Sequence, residues 1–178
     1  MREIEPKECD VCGEKILRSS VVWGLEGEKR SKRLVIVLQS SDEREGESYE
    51  QALWQSKTGR LILKVVGGDV GDVVITNAVK CLPLDRYKTP SAVVVNNCRS
   101  HLAAMVEHFP KSGVLCVGSV ALAAYAPELS GNLQDYRGKV MFLHEKSVLA
   151  VGHFGRSVTR EEIDLAIRFV KSLRDELP

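Results

Sequence analysis

Arg33-Leu34-Val35-Ile36-Val37-Leu38-Gln39 is an unbroken run of aliphatic, mostly β-branched residues. A run of this length without polar alternation reads as a strand covered on both faces, the condition of a central strand in a parallel sheet. Similar runs recur at 72–77, 113–118 and 147–153. Between them lie segments of helical length at 48–66, at 90–109 with Pro90 near its start, and at 119–125. A last helix is expected from Thr159, where Thr159 and Glu162 fit a capping box. Ile163, Ala166, Ile167, Val170 and Leu173 then form one apolar stripe that should close the core. This alternation predicts an α/β three-layer sandwich, a mostly parallel central sheet flanked by helices. Residues 139–145 are expected to add a strand paired with the next one across Glu145-Lys146, and 26–32 and 41–48 to be polar loops.

The chain has 178 residues, 44% of them hydrophobic and 28% charged, enough apolar material for one core. A single domain over 1–178 is expected, with a cysteine-bearing N-terminal arm, and acting as a monomer. With 25 Lys and Arg against 24 Asp and Glu, the formal charge of +1 draws the protein to neither nucleic acid nor an anionic membrane. Any such contact must use a local patch. No apolar run approaches the ~18 residues of a membrane span, and Met1-Arg2-Glu3-Ile4-Glu5-Pro6-Lys7-Glu8 is too charged for a secretory signal. The protein is expected in the cytoplasm, with no membrane partner.

In an open parallel sheet, ligands bind beyond the carboxyl ends of the strands. Those ends carry Gln39-Ser40-Ser41-Asp42, Thr76-Asn77, Gly118-Ser119 and His153-Phe154-Gly155-Arg156. Two amides, a Gly-Ser turn and an imidazole are thus expected to face one crevice. Singly, Gln39 and Asn77 read equally well as turn caps and His153 as a half-buried histidine. The cysteines carry a separate signal. Cys9-x-x-Cys12, Cys81 and Cys98 form a four-thiolate set that suits either zinc or an iron–sulfur cluster, whereas Cys116 sits between Leu115 and Val117 as a core residue. Structural disulfides are rare in the cytosol, so metal explains the set better than cross-links do.

Cys9-x-x-Cys12, then Ile75-Thr76-Asn77-Ala78-Val79-Lys80-Cys81-Leu82-Pro83, then Cys98, Arg137-Gly138-Lys139 and His153, in that order, resemble the iron–sulfur family 4 of the uracil-DNA glycosylase superfamily. The resemblance covers nearly the whole chain. Trp54-Gln55-Ser56-Lys57-Thr58-Gly59-Arg60-Leu61 is similar to the segment that supplies that family's base-stacking aromatic, and Val117-Gly118-Ser119-Val120-Ala121 to its Leu-Gly-x-x-Ala turn. After the first strand the family has Gly-Glu-Ala-Pro-Gly, where this chain has Leu38-Gln39-Ser40-Ser41-Asp42. A second family motif opens on His-Pro, where this chain has His153-Phe154.

The resemblance implies a DNA glycosylase that removes uracil or another deaminated base from DNA, with a [4Fe-4S] cluster on Cys9, Cys12, Cys81 and Cys98 and zinc as the alternative. It implies Trp54 as the stacking wall and Asn77 as the reader of the base edge, with Ser40 beside them. His153 becomes the donor to the leaving base. Gln39 falls where the family has its acid, so the attacking water is assigned to Asp42 or to the Gln39 amide oxygen. Gly118, Ser119 and Arg156 are expected to meet DNA, through backbone amides and through charge or wedging. A binding module that kept the fold but lost the water-activating acid is the alternative. A zinc-stabilised nucleotide-binding domain is disfavoured, because no Gly-x-Gly-x-x-Gly or P-loop follows a predicted strand.

Overall fold

The structure is a computed structural model and describes residues 1–4, 24–40, 48–81, 89–129 and 132–175. The described strands are β1 (Arg2–Glu3), β2 (Leu25–Glu26), β3 (Leu34–Ser40), β4 (Val73–Val79), β5 (Gly113–Val117), β6 (Val140–Leu143) and β7 (Lys146–Val151). The described helices are α1 (Tyr49–Gln55), α2 (Lys57–Val65), α3 (Ala92–Glu107), α4 (Ser119–Tyr125), α5 (Leu133–Tyr136) and α6 (Arg160–Asp175). The strands form one sheet in the order β1-β2-β4-β3-β5-β7-β6. Its four middle strands, β4, β3, β5 and β7, run parallel, while β1, β2 and β6 add antiparallel edges.

Alternation along the central strands divides the core in two. Val35, Val37, Val74, Ala78, Val114, Cys116, Val148 and Ala150 face α3 and α4. Leu34, Ile36, Val73, Ile75, Leu115, Val117, Leu149 and Val151 face α1, α2 and α6. Both sets are aliphatic because both faces are covered, which is why the strands read as continuous runs rather than as alternating ones. The three-layer sandwich expected from the sequence is therefore the fold.

The capping box at α6 forms as the sequence predicts: Thr159 N donates to Glu162 Oε2 at 2.8 Å, and Glu162 N to Thr159 Oγ1 at 3.3 Å. Ala166, Val170 and Leu173 of the predicted stripe are buried, joined by Phe169. The strand expected at 139–145 is β6, and the hairpin turns on His144 and Glu145, both at positive φ (49° and 61°), one residue earlier than the Glu145-Lys146 reading. Two expectations change. The helix expected over 48–66 is two helices broken at Ser56, and Leu25–Glu26, whose second residue opens the segment read as a loop, pairs with β4. Among the described residues, no helix is long and apolar enough to cross a membrane.

Candidate active site

The carboxyl ends of β3, β5 and β7 open on a crevice of about 270 Å³. Gln39 and Ser40 end β3 there, and Val117 ends β5. His153, Gly155 and Arg156 enter from the turn after β7, and Tyr49, Leu53, Lys57 and Thr58 from α1 and α2. The sequence reading brought Gln39, Ser40, His153 and Arg156 together, and the structure does too.

The break at Ser56 brings α2 to the crevice. Ser56 is extended (φ −76°, ψ 161°); its hydroxyl donates to Leu53 O at 2.7 Å and accepts from Gly59 N at 2.9 Å, so one residue ends α1 and caps α2. Gly59 permits the tight corner, since a Cβ there would meet the Leu53 carbonyl oxygen. The helix pair then presents Lys57 and Thr58 to the crevice. The Ser-x-x-Gly spacing was the available sequence signal for this corner.

Trp54, expected as the stacking wall, is absent from the described lining. Its half-buried ring packs against the core, and Nε1 donates to Glu50 Oε1 at 3.2 Å. The reason is helical spacing: Tyr49, Ala52 and Leu53 share the crevice-facing side of α1, and the next position is turned about 100° away. Tyr49 is thus the aromatic of the crevice, a residue that the sequence reading missed.

Asn77 lies on β4 opposite Leu38, a crevice residue, and its side chain is wholly buried. Its Oδ1 accepts from the Tyr49 hydroxyl at 3.3 Å, while Nδ2 is buried with no hydrogen-bond partner among the described residues. A buried amide donor without a partner costs about 1–3 kcal/mol.

His153 is held by its own turn. Its backbone N–H donates to Ser157 Oγ at 3.1 Å, and its carbonyl accepts from the amides of Arg156 and Ser157 at 2.9 Å and Val158 at 3.2 Å. The Gly155 amide donates to Nδ1 at 3.1 Å, which makes Nδ1 an acceptor and leaves the ring proton on Nε2. Burial lowers the imidazole pKa below its ordinary value, and the Arg156 cation lowers it further. The neutral Nε2–H tautomer is therefore the form at neutral pH. Gly118, on the approach to α4, stands beside this ring rather than on the crevice wall. It sits at φ 94° and ψ 167°, and a Cβ there would lie 3.5 Å from His153 Cβ. Ser119 is exposed at the start of α4.

Of the cysteines read as ligands, Cys9 and Cys12 lie outside the described residues, as does Asp42. Cys81 follows β4 and Cys98 lies on the buried side of α3, which packs on β4; both are buried. Between Asn77 and Cys81 in sequence, Lys80 is fully buried, with its ammonium on Thr76 Oγ1. Burial brings its pKa down to about 7, with the charge of a Cys98 thiolate pulling it up. Cys81 and Cys98 are the two described members of the set read as ligands, and among the described residues no three metal-ligating side chains gather. Cys116 is wholly buried in β5, and burial pushes its thiol pKa up, as befits an inert core residue.

The carboxyl ends of the parallel strands thus open on a crevice lined by a tautomer-fixed imidazole, while Asn77, expected to face it, is absent from the described lining and lies buried on the strand beside Leu38. Compared with known families, the chain matches the uracil DNA glycosylase superfamily over residues 26–166, and it belongs to that superfamily. A search of curated proteins finds no match to it.

Proposed function

We propose that this protein is a DNA glycosylase that hydrolyses the N-glycosidic bond of uracil, or of another deaminated base, turned out of DNA. The observation that carries the reading is the buried Nδ2 of Asn77, unpartnered among the described residues. Uracil offers an O4 acceptor for that donor and an N3–H for the amide oxygen, whereas cytosine would set its amino group against Nδ2. The base would lie in the crevice against Tyr49, with Trp54 behind it. As the C–N bond breaks, the electron pair passes to the base and negative charge grows on its O2. The Nε2–H of His153 is the fixed donor for that charge. Water then adds its hydroxide to the sugar carbon and its proton goes to the departing base.

Asp42, or the amide oxygen of Gln39, orients that water in this proposal. Lys57 and Arg156 at the crevice supply charge for the phosphates, and the amides of Gly118 and Ser119 supply a second contact. Cys9, Cys12, Cys81 and Cys98 are proposed to hold a [4Fe-4S] cluster, with zinc as the alternative. When bound, the cluster's contribution is to tie the N-terminal arm to β4 and α3.

A second reading has a specific observation in its favour. The described lining of the crevice holds two cations, Lys57 and Arg156, and no carboxylate. In that reading the protein binds damaged DNA without cutting the glycosidic bond. Single-turnover excision on single- and double-stranded oligonucleotides carrying uracil, hypoxanthine or xanthine tests the two. Excision of at least one base supports the glycosylase; binding without excision of any supports the module.

A further inference from the structure

We infer that Glu162 and Arg137 form a clamp that sets the position of the His153 imidazole, a positioning role resting on the reading of His153 as donor to the leaving base. Glu162 lies buried in the first turn of α6. Its Oε1 accepts from Arg137 Nε at 2.5 Å and from Gly152 N at 2.9 Å. Its Oε2 accepts from Arg137 Nη2 at 2.7 Å and from Thr159 N at 2.8 Å. Gly152 immediately precedes His153, so the carboxylate grips the chain one residue from the ring.

Arg137 grips the other side of the same turn. Its guanidinium also donates to the carbonyl of Ser157, whose hydroxyl receives the His153 amide. A Cβ on Gly152 would come within 2.5 Å of Arg137 Nη2 and 2.8 Å of Ser157 O, so the guanidinium lies directly over the chain there. Arg137 is itself fastened to the sheet, bridging Ala150 of β7 while Gly138 N donates to Ala150 O at 2.8 Å. The turn 152–157 is thus held at both ends against β7 and α6.

A helix cap alone does not need this construction. The other capping box among the described residues, at α1, uses the neutral side chain of exposed Gln51, bonded to the Ser48 backbone at 3.3 Å. At α6 the corresponding residue is a buried carboxylate, which costs free energy unless it is paired and fully hydrogen-bonded. Burial works to raise the Glu162 pKa, but the Arg137 guanidinium and the amides of Thr159 and Gly152 outweigh it and hold the carboxyl below its usual range. The group is ionised, and the bonds it makes outside its own helix run to Arg137 and the turn of His153.

The clamp is tested by nitrogen NMR of the histidine rings, with His153→Gln assigning the signals of His153, alongside single-turnover excision. Glu162→Ala is expected to move the His153 ring signals from the fixed Nε2–H tautomer toward an average of the two. It should also slow excision roughly 10²-fold, the scale of a small displacement of a catalytic group, with affinity for intact duplex unchanged. Glu162→Gln, which keeps an acceptor but loses the ion pair, should fall between. Exposed Glu161→Ala should change neither reading. If Glu162→Ala does not fold, Arg137→Gln loosens the clamp from its more exposed side and carries the same expectation. Ring signals identical to wild type in either folded variant overturn the clamp. A wild-type protein that excises no base overturns the glycosylase reading instead, and the ring signals still decide the clamp.

Discussion

The hydroxyl of Tyr49 on α1 donates to Asn77 Oδ1 on β4 across 3.3 Å, and Nδ2 of the same amide has no partner among the described residues. In the proposed function, the bond fixes which end of the carboxamide meets the base. Asn77→Asp removes the donor, and activity should move away from uracil, toward cytosine. Asn77→Leu removes the unpaired donor, recovering about 1–3 kcal/mol against about 1 kcal/mol for the lost Tyr49 bond. It should therefore abolish excision while leaving the melting temperature unchanged or higher. A Leu variant that is both active and destabilised would refute the assignment of Asn77 to the base.

His153→Ala should reduce the excision rate by roughly 10²–10³-fold, as expected for loss of a donor to developing negative charge. Single-turnover rates at saturating enzyme give this directly, free of any change in DNA affinity.

The lowered His153 pKa has a second, measurable sign. The folded chain binds fewer protons at this site than the unfolded chain, so the contribution to stability is complete above about pH 6.5 and declines as pH falls below it. Arg156→Gln removes one of the two causes and should raise the His153 pKa and flatten that decline. Urea denaturation at several pH values, with NMR titration of the ring, reads both. An unshifted titration in Arg156→Gln would show that the Arg156 cation does not act on the ring.

Gly118→Ala should cost about 1–3 kcal/mol, because φ 94° with ψ 167° is a glycine-only conformation. The added Cβ would lie at ordinary contact distance from His153, so the expense is in the backbone rather than in a clash. A denaturation midpoint equal to wild type would contradict this.

Aerobically purified protein should be brown, and Cys98→Ser should bleach and destabilise it, whereas Cys116→Ser should leave the colour intact because that thiol is sealed in β5. Colourless protein with stoichiometric zinc would replace the cluster by the alternative metal.

What was legible in the sequence follows from how each element is stabilised. The four parallel strands and α6 were readable because burial on both faces demands aliphatic runs and because the Thr159–Glu162 box announces a helix start. Gln39, Ser40, His153 and Arg156 were readable as crevice residues because strand ends converge by topology alone. Tyr49 was not, since which side of the short helix α1 faces the crevice depends on the fold, and Trp54 was assigned to the wall by the family resemblance. The pairing of Leu25–Glu26 with β4 was hidden because a two-residue strand has no period to detect. Glu162 was read as a cap, and its reach to Gly152 and Arg137 required the fold.

The central position of β3 also has a consequence for how the chain reaches its structure. Leu34 pairs with Val73, 39 residues later, and with Gly113, 79 residues later. During synthesis one edge of β3 is left open until β5 emerges, and its exposed groups are a flat aliphatic strand ready to pair with another chain. The crevice closes later still, when β7 brings His153 to β5. Folding of this protein should accordingly be slow for its size, because its sheet relies on contacts distant in sequence, and chains halted before residue 113 should aggregate.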